Sequence, residues 1–158
     1  MKTTTRWVTA VVALVLAVFL PAGAAWAGAA PTTTTEHNAT ETFHDVLPCV
    51  GDATITITYN EVEHETLTPG GGVHATFTQA GTFVAVLDDG SGTATGHFQV
   101  WGNFNSQDGV NGNSTFTFNL HVAAGPGAGT NFHDNSHFTG PLDQALDPKV
   151  AFDKSHCV

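Results

Sequence analysis

Positive charge is the scarcest feature of this 158-residue sequence, which holds 4 Lys and Arg residues against 14 Asp and Glu. Lys2 and Arg6 stand at the extreme N-terminus, so only Lys149 and Lys154 offset the carboxylates of the rest of the chain. A surface this negative repels phosphate backbones and anionic lipid headgroups. The composition therefore excludes nucleic acid as an expected partner and indicates a chain kept soluble by its charge.

Helical periodicity and catalytic signatures are missing as well. No long stretch of the domain spaces its apolar residues as a helix does, so parallel strand pairing through a crossover helix is not expected. The sequence has no Gly-x-Ser-x-Gly elbow and no Lys-containing phosphate loop. Its 2 cysteines are expected to be paired, which leaves no thiol nucleophile. We predict no catalytic residue and no cofactor.

Residues 1–27 are predicted to be a secretory signal peptide. Lys2 and Arg6 precede an apolar run over residues 8–20, and Ala25-Trp26-Ala27 fits a small-x-small cleavage site. The run is too short to span a bilayer comfortably, although an uncleaved anchor is the alternative. No cysteine lies near the cleavage site, which argues against a lipid anchor. We therefore expect a secreted, extracellular protein with no stable membrane insertion after cleavage.

Two further segments follow the signal peptide. Residues 28–42 are rich in Ala and Thr without apolar periodicity, which predicts a flexible tether. Residues 43–158 form the predicted domain, in which apolar and polar residues alternate with a period of two. The predicted inward positions include Ile55, Ile57, Phe98, Val100, Phe116, Phe118, Leu120 and Val122. The predicted outward positions include Thr54, Thr56, Thr117 and Asn119.

Clusters of Gly, Pro, Asn and Asp separate these alternating runs into about seven or eight strands. Short turns between neighbours predict an all-β antiparallel meander. A meander with one apolar face must close on itself or fold over to bury that face. We therefore predict a small β-barrel, with a two-sheet β-sandwich as the alternative.

Cys49 precedes the first long strand of that domain and Cys157 follows the last. Two cysteines in an exported chain most simply form one disulfide, here between the ends of the domain. Free thiols or a metal-binding pair are the alternatives, and two cysteines without a nearby second pair are a weak metal signal.

Four motifs give the sequence a family likeness. They are FHDVLPC at 43–49, GHFQVWG at 96–102, FHDNSHF at 132–138 and FDKSHC at 152–157. Together they resemble a family of small exported actinobacterial proteins with no assigned function, over roughly residues 41–158. The resemblance implies export and an all-β domain with paired end cysteines, but no activity. The predicted barrel also loosely resembles lipocalin-like and allene-oxide-cyclase-like folds, which does not determine function.

Nine histidines raise the question of a metal site. His133 and His137 are the densest pair, but residues four apart on a strand lie about 13 Å apart. They could not easily share one ion at about 2 Å, so a site would need a histidine from a neighbouring strand, such as His121 or His97. The simpler interpretation is that these histidines occupy a wet strand face, and we expect no metal.

Asp134 marks the candidate polar site, with His133 or His137 as its neighbour. Asp134 and Ser136 lie between Phe132 and Phe138, and two polar residues between core aromatics are unfavourable in a packed interior. Either a bulge shifts the alternation, or the polar residues are buried with partners. An edge strand with both faces wet is the simpler alternative.

Two acidic motifs have simpler interpretations than the functions they suggest. Asp88-Asp89-Gly-Ser-Gly suggests calcium ligands but lacks the spaced series of an EF-hand loop, so it predicts a hairpin turn. Glu61, Glu63 and Glu65 share one side of a strand, where carboxylates could do acid–base work. Three in a row more often mark a solvated face or a guarded edge, which is the prediction here.

Three functional classes remain open from the sequence. The first is a non-enzymatic module whose barrel interior or mouth holds a small apolar ligand. The second is a barrel-type cyclase or isomerase that uses an interior His, Glu or Tyr. The third is a structural cell-surface protein without a small ligand. We favour the first, and phenylalanines that fill the interior would instead favour the third.

Overall fold

The computed structural model describes residues 30–107, 111–141 and 150–158 of the chain. These residues form one antiparallel sheet whose seven strands are adjacent in chain order. The strands are β1 (Thr32–Leu47), β2 (Gly51–Leu67), β3 (Val73–Leu87), β4 (Thr93–Ser106), β5 (Asn111–Ala124), β6 (Asn131–Pro141) and β7 (Val150–Cys157). The predicted signal peptide, residues 1–27, lies outside the described residues.

The predicted all-β antiparallel meander is confirmed, and barrel closure is not. β1 and β7 are the two edges of the described sheet instead of hydrogen-bonded neighbours. The strands also form one sheet instead of the two layers of the alternative sandwich. Closure would need a ladder between the first and last strands, but β1 is 16 residues long and β7 only 8.

β1 begins inside the segment predicted to be a tether. From Thr32 onward the chain pairs with β2, starting at Thr32 opposite Glu65 and running to Leu47 opposite Gly51. A register shift between Glu36 and Ala39 interrupts the ladder. Threonine favours extended backbone, and the far half of β2 supplies the pairing edge. The prediction of a tether over 28–42 was wrong from residue 32 on. The sequence gives no sign of this strand, because its first side chains are exposed on both faces and therefore show no apolar alternation.

The inward face carries the core, as the alternation predicts. All eight residues predicted to point inward are buried, together with neighbours such as Leu47, Phe83 and Phe132. The rings of Phe118 and Phe132 lie 5.9 Å apart across β5 and β6. Thr54 is exposed as predicted, but Thr117 is only 3 % exposed, because it lies between Trp101 on β4 and Asn135 on β6.

Two glycines of β4 make room for core rings. A Cβ at Gly96 would lie 2.6 Å from the ring of Phe83 and 2.0 Å from a backbone oxygen. A Cβ at Gly102 would lie 2.8 Å from the ring of Phe77. A side chain at either position would displace an aromatic ring of the inward face. These glycines therefore let large rings on β3 lie flat against β4.

The disulfide between Cys49 and Cys157 is present, with a Cα–Cα distance of 6.2 Å. It joins the β1–β2 turn to the end of β7, across 108 positions of sequence. The sheet is therefore curled enough at this end to bring its first turn and its last strand together.

Candidate functional site

The residues of the predicted polar site lie on opposite faces of β6. Phe132 belongs to the core, so Asp134, two residues on, points inward, while His133 and His137 point outward. The β5–β6 register is continuous from Asn111 to His121, so the predicted bulge is absent on the β5 side. On the β7 side the register shifts between His137, opposite Phe152, and Phe138, opposite Val150, so the irregularity there lies in β7. β6 pairs with β5 and with β7, so the edge-strand alternative was wrong.

Asp134 is 5 % exposed and lies on the core face. It is opposite Phe118 on β5 and opposite Ser155 on β7. The buried-carboxylate alternative is therefore the one the structure has, although neither His133 nor His137 faces this carboxylate. The three residues do not come together as one site.

The outward side of β5 and β6 is a polar ladder built around imidazoles. His133 Nδ1 donates a hydrogen bond to Asn119 Oδ1 at 2.6 Å. His137 Nδ1 lies 3.1 Å from Thr115 Oγ1, and its Nε2 lies 3.1 Å from Thr139 Oγ1. These cross-strand contacts agree with the interpretation of the histidines as residues of a wet strand face.

Carboxylates, by contrast, face inward on β1 and β2. Glu61, Glu63 and Glu65 continue the inward register of Ile55 and Ile57, and all three are half-buried. The prediction of a solvated face or guarded edge was wrong. The alternation assigned the three glutamates to one side correctly, but that side is the core side of the sheet.

Hydrogen bonds organise this carboxylate group, which we call the inward acidic cluster: Glu36, Glu41, Glu61, Glu63 and Glu65. The buried Tyr59 donates its hydroxyl to Glu41 Oε1 at 2.7 Å. The buried Gln79 donates its amide to Glu61 Oε2 at 3.0 Å. Lys154, on β7, is the one Lys or Arg among the described residues, so no such side chain from β1 to β6 faces the cluster.

Burial and the repulsion of neighbouring carboxylates raise the pKa of two members of this cluster, Glu61 and Glu63. Burial raises the pKa of Glu61, with smaller contributions from Glu36 and Glu41, although the Gln79 amide opposes the shift. Burial also raises the pKa of Glu63, with help from Glu61 and Glu65.

The pKa of Tyr59 is strongly raised as well, first by burial and then by its hydrogen bond to Glu41. Tyr59 is therefore held as the neutral phenol.

The inward face thus has two zones. The apolar zone, next to the disulfide, is filled by buried aliphatic and phenyl side chains such as Ile55, Phe83 and Phe98. We call the opposite part the open end: it contains the inward acidic cluster and the half-buried rings of Phe77, Phe104 and Phe138. Phe77 lies 6.3 Å from Phe116, which joins the two zones.

The acidic turn after β3 has no site of its own. Asp89 Oδ1 accepts a hydrogen bond from the Ser91 amide at 2.8 Å, as in a hairpin turn. Asp88 Oδ2 lies 2.6 Å from His44 Nε2, and both side chains are about half exposed. This pair raises the pKa of His44, through the hydrogen bond first and the charge second. The hairpin turn predicted for this motif is confirmed.

Comparison with known proteins identifies no relative of this chain. No family model matches it, and neither a curated protein nor a solved structure is detectably similar. In the described part of the chain, no three His, Cys, Asp or Glu residues are grouped so as to hold a metal ion. A search of those residues for a helix able to cross a membrane finds none.

Proposed function

We propose that this is an exported, non-enzymatic β protein that binds a small, largely apolar ligand at the open end of its inward face. The observation that carries the proposal is the incomplete burial of Phe77, Phe104 and Phe138 there. Half-buried rings on a concave surface gain free energy when a ligand covers them. The neighbouring glutamates disfavour an anionic ligand, because they would repel it.

The phenylalanines of the apolar zone restrict where a ligand can bind. Phe83, Phe98, Phe118 and Phe132 are between 3 % and 8 % exposed and belong to one core cluster. Protein cores are close-packed, so side chains buried to this extent leave no room for a guest molecule among them. The proposal therefore places the ligand at the mouth, away from the disulfide.

Closure of the curled sheet into a barrel-like cup is part of this proposal. The disulfide supports it, because Cys49 and Cys157 already hold the first turn and the last strand together at one end. The disulfide is also compatible with secretion. Kinship with small exported actinobacterial proteins is a further part of the proposal, and it rests on the sequence motifs at 43–49, 96–102, 132–138 and 152–157.

The cyclase or isomerase alternative has no histidine of β2 to β7 on the inward face. The described histidines of these strands occupy outward register positions. His44, whose pKa the Asp88 carboxylate raises, is on the surface. Tyr59 is held as a neutral phenol, so it would be a poor base. The bases that the inward face offers are glutamates, and no histidine of β2 to β7 faces them, which favours binding over catalysis.

The experiment uses a neutral naphthylamine dye whose fluorescence rises in apolar surroundings. The wild type should bind it saturably at one site. Phe104→Ser should weaken binding at least about tenfold, since a covered ring contributes about 1.5–3 kcal/mol. Val84→Ser is the matched control, because Val84 is 46 % exposed on the outward face.

Two results of the dye experiment would contradict the proposed site. Dye binding that Phe104→Ser leaves unchanged would refute a site at the open end. No saturable binding of the dye, with no amide NMR shifts near Phe104, would support a structural protein without a small ligand.

A further inference from the structure

Histidines from neighbouring strands are paired directly on the outward face. His97 on β4 is opposite His121 on β5, and His133 on β6 is opposite His156 on β7. The outward positions of β3 to β6 hold no Asp or Glu within the described ranges. The side-chain ligands available to a cation there are therefore imidazole nitrogens and neutral Asn and Thr oxygens.

The His133–His156 pair has its rings close to a chelating distance. Their centroids are 5.6 Å apart, with an angle of 64° between the ring planes. Two imidazoles that share one ion at about 2.0–2.1 Å per nitrogen have ring centres roughly 5 Å apart. His156 is exposed, so a small rotation of its side chain can bring the two nitrogens onto a common ion.

Asn119 prepares His133 as a ligand. Because His133 Nδ1 donates to the Asn119 amide oxygen at 2.6 Å, the neutral ring keeps its lone pair on Nε2. Metal-binding histidines commonly donate their second ring nitrogen in this way, which fixes the tautomer and the ring orientation. The pairing of β6 with the C-terminal end of the chain is fixed near His133 and His156, because Asn131 and Val158 exchange two backbone hydrogen bonds at 2.8 Å.

We propose that His133 and His156 bind one divalent late transition-metal ion, such as Cu²⁺, Ni²⁺ or Zn²⁺, with water in the remaining positions. Imidazole suits these ions, whereas Ca²⁺ and Mg²⁺ are bound chiefly through carboxylate oxygens, and no Asp or Glu occupies an outward position of β3 to β6 in the described ranges. The site is independent of the proposed ligand at the open end, because it lies on the opposite face. A bound ion would cross-link β6 to the edge strand β7 and stabilise the fold by mass action.

The test is Ni²⁺ titration of the tag-free exported chain by calorimetry near pH 7.5. We expect one site in the wild type and at least about a tenfold loss of affinity in His133→Ala and in His156→Gln. Asn119→Ala should weaken binding about tenfold, because it releases the His133 ring. His64→Ala is the control: His64 is also outward, but its cross-strand neighbours are Thr33 and Thr76.

Thermal unfolding supplies a second measurement. Saturating Ni²⁺ should raise the Tm of the wild type and of His64→Ala but not that of His156→Gln, whereas Mg²⁺ should change none of them. Ni²⁺ binding of unchanged affinity in His156→Gln, or no Ni²⁺ binding by the wild type, would overturn the proposal.

Discussion

Phe118 on β5 and Asp134 on β6 are direct cross-strand partners on the inward face. A core phenylalanine, 6 % exposed, is thus opposite a carboxylate that is 5 % exposed. Two residues further along, at the next inward pair, Phe116 is opposite Ser136, which is half-buried. On β6 the inward face therefore changes from apolar to polar within a single residue pair, next to the boundary between the apolar zone and the open end.

Truncation of Phe118 tests the assignment of the faces. Phe118→Ala removes a buried ring that contacts Phe132, so it should lower the free energy of unfolding by about 3–5 kcal/mol. Thr54→Ala, at an exposed outward position, should change it by no more than about 0.5 kcal/mol. Urea denaturation measures both, and equal effects would reject the assignment.

Thr117 offers a stabilising substitution. Its hydroxyl is buried and has no hydrogen-bond partner among the described residues. A buried hydroxyl without a partner costs about 1–3 kcal/mol, so Thr117→Val should stabilise the protein by roughly 1 kcal/mol. Thr56→Val is the matched control, because the Thr56 hydroxyl bonds to Thr42 at 2.9 Å. A Thr117→Val protein less stable than the control in urea would contradict this account.

The disulfide should make a large contribution to stability. Cys49 and Cys157 close a loop of 108 positions, which by the chain-entropy argument contributes roughly 4–5 kcal/mol. The protein, purified without reducing agent and then denatured, should show no free thiol on the monomer. The double Ser variant should unfold at much lower urea concentration. Two titratable thiols in the wild-type protein would refute the bond.

The alternation of the sequence was enough to predict strands β2 to β7, their antiparallel order and the core of β4 and β5, but not β1. Those features depend on local pattern, since a period of two assigns side chains to two sides of a strand. The alternation alone does not show which side of a polar strand faces the core. The glutamates of β2 share the inward register of Ile55, and this follows only from the uninterrupted length of the strand.

The predicted grouping of three residues into one polar site did not hold for a related reason. His133, Asp134 and His137 are close in sequence, but adjacent residues of a strand point to opposite faces. The histidine partner of His133 is His156, 23 positions away, and only the β6–β7 register reveals it. Pairing of this kind depends on long-range strand order, which local pattern does not encode.

The inward acidic cluster should make stability depend on pH. Burial raises the pKa of Glu63 above 4.5 in the folded protein, so the folded state holds this proton more tightly than the unfolded state. The stabilisation is present below pH 4.5 and is lost as pH rises through the raised pKa. Glu63→Gln should remove this decline and be more stable than wild type at pH 7, by less than about 1 kcal/mol because the group is half exposed.

Asp89→Asn should change the pH dependence of stability in the opposite direction from Glu63→Gln. Its hydrogen bonds to Ser91 lower the pKa of Asp89. The stabilisation is present above the unfolded pKa and is lost as pH falls, so the Asn variant should lose stability at neutral pH. The Tm of both variants and of the wild type, measured from acidic to neutral pH, tests these two expectations. A Glu63→Gln protein less stable than wild type at pH 7 would show that the carboxylate is stabilising in its ionised form.

The titration of His44 on the surface should depend on its partner Asp88. The Asp88 carboxylate raises the pKa of His44 above 6.5 by its hydrogen bond and its charge. This stabilisation is complete below about pH 6.5 and is lost as pH rises through the folded pKa. Asp88→Asn should return the His44 imidazole signal in NMR titration toward 6.5, and added salt should do so in part. Asp89→Asn removes the neighbouring carboxylate without touching the bond, so it should leave the raised pKa in place. An identical His44 titration curve in wild type and Asp88→Asn would mean that the pair does not form in solution.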